Sequence, residues 1–129
     1  MSGLPARRPL FLRNSADIER VKQNGRRVST PLFNLISYMS GLHRIRVGVI
    51  VGKRFGKAVM RNRAKRVFRE LARQTEDHCR MGYDLLVFPR REALTVRHAQ
   101  LRDAWIAALK AEGLLASPMD FSCDESVSG

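Results

Sequence analysis

The sequence predicts a small α/β (α+β) fold: a two-layer sandwich of helices on a mixed sheet, in the order α-β-β-α-β-α. Three observations carry this expectation. Segments of helical periodicity alternate with runs of β-branched and aromatic residues. The chain has 129 residues, 44% of them hydrophobic, enough for one core but too short for a two-domain enzyme with an interdomain cleft. The longest helical stretch, residues 57–77, carries no Gly or Pro and is apolar on one side only.

Each element has its own signal. Asn14 or Ser15 caps a short first helix with Asp17 in its first turn, Ile18 and Val21 on its apolar side, and Gly25 as its stop. The runs Pro31–Met39 and Ile45–Val51 follow, separated by Ser40, Gly41 and His43, and read as two strands joined in a hairpin. Arg26 and Arg27 precede Val28 and can begin the first strand early. The second run turns wholly apolar, as a central strand does. In the long helix Met60, Ala64, Val67, Phe68 and Leu71 share a sector of roughly 100°. After a turn at Gly82, Tyr83–Phe88 is a third strand, ended by Pro89. Val96, Ala99, Leu101, Ala104, Trp105, Ala108 and Leu109 line a last helix, with Thr95 as its cap and Gly113 as its stop.

Charge gives the first functional constraint. Lys plus Arg total 24 against 12 Asp plus Glu, a formal net charge of +12, which calls for a polyanionic partner. Nucleic acid is the first reading and an anionic membrane surface the second, but Ser2 replaces a myristoylatable Gly and no basic amphipathic anchor is present. No apolar run approaches a membrane span, and Met1–Pro9 lacks the apolar stretch of a signal peptide, so a cytoplasmic protein is expected. Residues 113–129 hold Asp120, Asp124 and Glu125 with no Lys or Arg. That composition predicts a flexible N-terminus over 1–10, a folded domain over 11–113 and a disordered acidic tail over 114–129.

The cations concentrate in one place. Residues 53–73 carry Lys53, Arg54, Lys57, Arg61, Arg63, Lys65, Arg66, Arg69 and Arg73 against Glu70 alone. On a helical wheel they sweep the arc that the apolar sector leaves free, a one-sided cationic face. Like charges at i and i+4 cost a few tenths of a kcal/mol per pair unless phosphates neutralise them. Arginine forks suit phosphate, and Asn62 between two arginines suits a ribose or a base edge. Gly52 and Gly56 bracket Lys53–Phe55, but Ala58 stands where a P-loop needs Ser or Thr, and the spacing is not a GXXG clamp; they read as turn residues.

Catalytic signals are weak by comparison. His43, His78 and His98 are scattered, Glu76 and Asp77 read as helix-end charges, and His78 beside Cys79 makes no ligand set by itself. Cys79 and Cys123 have no metal or disulfide spacing and read as free thiols.

The stretch Gly52–Arg66 (GKRFGKAVMRNRAKR) resembles the signature of the bacterial ribonuclease P protein component, with Arg61-Asn62-Arg63 as its RNR motif. Weaker similarity runs from about residue 10 to 112, through Asp17–Val21, Val47–Val49, Gly82–Leu85 and Phe88–Arg91. The resemblance implies a fold like ribosomal protein S5 domain 2, with a left-handed βαβ crossover. It further implies a subunit that binds ribonuclease P RNA and the 5′ leader of precursor tRNA, with no protein partner or membrane involved. Catalysis then belongs to the RNA with Mg2+, leaving no catalytic residue and no metal ligand to the protein.

Carried over by position, Arg61, Asn62, Arg63, Lys65, Arg66 and Arg69 would meet the catalytic RNA. Ile18, Lys22, Phe33, Lys53, Arg54, Lys57, Arg90 and Arg91 would meet the leader. Ile18 and Lys22 depart from the family's usual aromatics, which shifts leader binding toward charge, and Ile18 reads equally as a core contact of the first helix. Two rival readings stay open: a structural or ribosomal RNA-binding protein of similar fold, and a protein-only metal-dependent nuclease.

Overall fold

In the computed structural model, which describes residues 10–115, helix α1 spans Ser15–Asn24. The Asn14 side chain caps it, accepting from the backbone N–H of Ala16 at 2.9 Å and of Asp17 at 3.1 Å. Gly25 ends it with an ordinary negative φ. Its lack of a side chain matters for space, because a Cβ there would lie 2.5 Å from Ile36 Cγ2.

Strands β1 (Arg26–Ser29) and β2 (Phe33–Met39) follow, then β3 (Ile45–Val49), α2 (Ala58–Thr75), β4 (Tyr83–Pro89) and α3 (His98–Ala111). The order is therefore α-β-β-β-α-β-α, with one strand more than expected. Thr30 separates β1 from β2: its backbone N–H and its hydroxyl both donate to the Phe33 carbonyl, closing a tight turn.

The sheet order is β1-β2-β4-β3, antiparallel except for the parallel β3–β4 pair. This corrects two expectations. β2 and β3 do not form a hairpin, because β4 inserts between them; the segment after β2 instead folds onto the start of β4, where Ser40 and Gly41 N–H groups donate to the Gly82 carbonyl. Nor is β3 central. Residues 10–12 cover its outer edge through Leu12 N–H to Val47 O at 2.8 Å and Val47 N–H to Leu10 O at 2.9 Å. Gly48 admits that crossing: a Cβ would sit 2.8 Å from Leu86 Cδ2 and 3.4 Å from the Leu12 carbonyl oxygen.

One face of the sheet packs on α2 and α3. There the rings of Phe33, Phe68 and Trp105 meet at centroid distances of 5.6, 5.8 and 6.2 Å, all three fully buried. Edge and tilted ring contacts add roughly 0.5–1.5 kcal/mol per pair beyond area burial. The Trp105 indole donates to buried Thr75 Oγ1 at 3.1 Å, and that hydroxyl donates to the Leu71 carbonyl, so neither polar group is orphaned.

Three smaller expectations are also corrected. Met60, in the first turn of α2, is exposed, as is Ala99 on α3. Arg97, not Thr95, occupies the α3 cap position, while the Thr95 hydroxyl closes the preceding 3-10 turn on the Glu92 carbonyl at 2.7 Å. Leu10 and Leu114, at the inner ends of the terminal segments, are both core residues, and Leu114 O accepts from Arg80 N–H at 2.7 Å. The remainder of those segments, with Cys123, lies outside the described residues. Cys79 is buried, which pushes its thiol up to about 11.

On the other face α1 lies across the sheet, with Val21 packed against Leu12, Ile36 and Leu86. A polar clasp pins its first turn. Arg46 on β3 grips buried Asp84 on β4 with two bonds, Nε to Oδ1 at 2.8 Å and Nη2 to Oδ2 at 2.6 Å. Its third nitrogen reaches Asp17 Oδ2 at 3.2 Å, and Arg20 donates to Asp17 Oδ1 at 2.7 Å. The bond from Asp84 holds the Arg46 guanidinium above its ordinary range, and the bond from Arg20, with Arg46 behind it, holds the Asp17 carboxyl below the ordinary range.

An Asp whose folded-state pKa is lowered contributes stability that is present above its unfolded value and lost as pH falls through the folded one. Asp17→Asn is therefore expected to flatten part of the loss of melting temperature as pH falls below the ordinary carboxylate range. Identical acid losses in wild type and variant would mean that the clasp on Asp17 does not hold in solution.

Candidate nucleic-acid interface

Burial of Ala64, Phe68, Leu71, Ala72 and Thr75 fixes which side of α2 meets the core. The opposite side presents Asn62, Arg63, Arg66 and Arg73 exposed, with Arg61, Lys65 and Arg69 half-buried at its borders. Asn62, Lys65, Arg66, Arg69 and Arg73 line an open groove of about 460 Å³ along the helix. The ion pair on this face joins Arg73 to Glu70 at 3.9 Å, between exposed groups, and neutralises little. Phe11 sits beneath two of the cations, 5.1 Å from Arg73 Cζ and 5.7 Å from Arg69 Cζ. Such cation–π contacts stiffen the far end of the stripe.

A second cationic group gathers at one edge of the sheet. Because β3 and β4 run parallel, the segments leaving their C-terminal ends emerge side by side: Lys53, Arg54 and Lys57 after β3, Arg90 and Arg91 after β4. Ile50 N–H donates to Val87 O at 2.9 Å, which carries the pairing to that edge. All five cations are exposed. Gly56, with φ 148°, reverses the chain between Phe55, which is buried as an anchor, and the start of α2. No side chain caps α2, so its first N–H groups face this same cationic turn.

Between this edge and α1 the sheet is only partly covered, and this strip stands where the leader groove is expected. α1 covers the sheet row of Ile36 and Leu86, whereas the next row toward the cationic edge, Asn34, Phe88 and Ile50, is only partly buried. Ile18 and Lys22 are both half-buried, Ile18 packed on the α1 cluster. Arg90 Nη2 donates to Asn34 Oδ1 at 3.1 Å across the groove mouth.

The structure thus gathers the residues of the expected RNA face onto one side of α2, and most of the expected leader residues around the groove. Phe33 is the exception. It is fully buried on the opposite face of the sheet, against Phe68 and Trp105, because alternation along β2 points residues 33 and 35 toward α2 and 34 and 36 toward α1. Its ring cannot touch a ligand. Sequence reasoning missed Asn34 and Phe88, which the period-2 pattern of β2 and β4 places on the groove side, and Arg46, which holds α1 against it. Asp17 and Asp84 are both bound to Arg46.

Comparison with known proteins agrees with this fold. The family model described as Ribonuclease P matches residues 6–112. The ribonuclease P protein component of Chloroflexus aggregans is 38% identical over 113 residues, covering 87% of this chain and 84% of that one. That of Herpetosiphon aurantiacus is 38% identical over 93 residues, covering 72% and 76%. Among solved structures, the RNase P protein of Thermotoga maritima superposes with a TM-score of 0.71 at 28% identity, covering 78% of this chain and 96% of that one. The Staphylococcus aureus RNase P protein superposes at 0.73 and 25% identity, covering 83% and 98%.

Placing Phe33 in the core has a measurable consequence. Phe33→Ala should lower unfolding free energy by about 3–5 kcal/mol in urea titrations, the cost of truncating a buried aromatic. Phe33→Leu should fold and keep native RNA affinity. Weakened RNA binding in a well-folded Leu variant would return this position to the interface.

Proposed function

The chain belongs to the ribonuclease P protein family, the protein component of a tRNA-processing endoribonuclease, and from that premise we propose that it uses two separate surfaces for two RNAs. The exposed side of α2, from Arg61 through Arg73, docks on the catalytic RNA subunit. The groove between α1 and the cationic sheet edge receives the 5′ leader of precursor tRNA, with Lys22, Lys53, Arg54, Lys57, Arg90 and Arg91 neutralising its phosphates. In this reading hydrolysis at the tRNA 5′ end belongs to the RNA subunit, which also holds the Mg2+. The protein's own residues position the leader, and it works in the cytoplasm, where tRNA is matured.

One observation supports this best: the like-charged stripe on α2 is left almost uncompensated by the described residues, while the core side of the same helix is fixed by Phe68. Arginine-rich donors at that spacing bind phosphate without reading sequence, which suits a large folded RNA. Among the described residues no helix is long and apolar enough to cross a membrane.

Arg63→Ala with Arg66→Ala should weaken binding to a bacterial ribonuclease P RNA without altering the fold, since both side chains point away from the core. The slope of log K against log salt should become shallower by about 0.7–0.9 for each phosphate that the variant no longer neutralises. Arg90→Ala with Arg91→Ala should instead leave docking on the catalytic RNA intact and weaken precursor tRNA far more than mature tRNA. Equal weakening of precursor and mature tRNA would place these arginines outside the leader path.

A further inference from the structure

A groove that holds single-stranded RNA gains more from stacking than from charge alone, since each base laid on an aromatic ring contributes about 1–3 kcal/mol. The helix wall of this groove provides no ring, because Ile18 and Lys22 are the side chains it offers. The chain contains six Phe, two Tyr and one Trp. Phe33, Phe55, Phe68 and Trp105 are buried. Phe11 lies under Arg69 and Arg73 on the α2 side, and Tyr83 packs into the core on that side. Tyr38 shares the α1 face but pairs with Asp84, at the end of the sheet away from the cationic edge. Phe121 lies outside the described residues. One described aromatic therefore remains at the cationic end of the groove: Phe88.

Its neighbours share its row of the sheet. Phe88 pairs with Asn34 on one side and is flanked by Ile50 on the other, and all three are partly buried on the α1 face. Two residues further along, Arg90 donates to Asn34 Oδ1. That bond engages the amide oxygen, so Nδ2 is the donor this side chain has left, on the residue paired with Phe88. Pro89 and the pairing of β2 with β4 through Phe33–Pro89 hold the ring on a strand, where it moves less than on a loop. Stacking, an oriented amide donor and a guanidinium thus lie within one sheet row and the turn that follows it.

We propose that Phe88 is the stacking platform for one leader nucleotide, and that Asn34, oriented by Arg90, bonds that nucleotide's base edge or ribose. The proposal rests on the leader reading above and adds to it a position, a contact type and a stoichiometry of one base. In effect the aromatic contact of the groove comes from strand β4 and not from helix α1.

The test uses the holoenzyme reconstituted with a bacterial ribonuclease P RNA, and precursor tRNAs carrying a single abasic nucleotide at successive leader positions. With wild-type protein, one abasic position should weaken binding about five- to 150-fold, the range of one base–aromatic stack. Phe88→Leu should bind intact precursor weaker by a similar factor and be indifferent to the abasic change at that position, while mature tRNA binds as before. Phe88→Tyr should restore the wild-type profile. Native emission from buried Trp105 checks that the Leu variant is folded. If Phe88→Leu keeps the wild-type affinity and abasic profile, the proposal is overturned and leader binding stands. If wild-type holoenzyme shows no preference for precursor over mature tRNA, the leader reading fails and the proposal falls with it.

Discussion

The rotation of α2 about its own axis decides what this protein can offer a partner, and Phe68 sets that rotation. Its ring is wedged between Phe33 on the sheet and Trp105 on α3, so the helix cannot turn without opening the core. The Thr75 hydroxyl, held by the Leu71 carbonyl and the Trp105 indole, locks the C-terminal end in the same orientation. With the core side fixed, Arg63 and Arg66 face solvent, and Arg73 lies over the Phe11 ring. A cationic stripe with so little internal neutralisation is a cost to the isolated protein, and an RNA phosphate lattice removes that cost.

The two faces of the sheet are closed to different extents. Its α2 face is a closed apolar core, while its α1 face is closed only over the rows that α1 covers. The Arg46 clasp matters here because it fixes the first turn of α1 through Asp17 and Asp84, and so sets where the helix stops covering the sheet. Beyond that line the row of Asn34, Phe88 and Ile50 stays accessible, directly below the cations that leave β3 and β4. The parallel β3–β4 pair is what brings those two basic segments together, since antiparallel neighbours would send them to opposite ends of the sheet.

Much of this was legible in the sequence because it is local. The caps at Asn14 and Gly25, the apolar sector of α2 and the arginines opposite it follow from spacing alone, and the Gly52–Arg66 signature pointed to the family that the comparisons bear out. What was not legible is non-local. Nothing in the runs 31–39 and 45–51 reveals that β4, far along the chain, will pair between them, and an apolar run reads as central although β3 lies at the edge of the four-stranded sheet, its outer side covered by residues 10–12. Phe33 shows the same limit at the scale of one side chain. The resemblance carried it into the leader groove by its match to an apolar strand position, but only the register with Pro89 and the crossing of α2 settle which face it takes.

The central claim is that the outer side of α2 and the α1 side of the sheet serve two different RNAs, and directed cleavage of the assembled holoenzyme tests it most directly. A hydroxyl-radical source is tethered through Glu70→Cys on α2 or Glu92→Cys beside the groove, both exposed and neither one of the cations proposed to contact RNA, in a Cys123→Ser background with Cys79 left buried. Two surfaces for two RNAs require cuts in the catalytic RNA from position 70 and cuts in the precursor leader from position 92. Cleavage of the same RNA segment from both positions would contradict the claim.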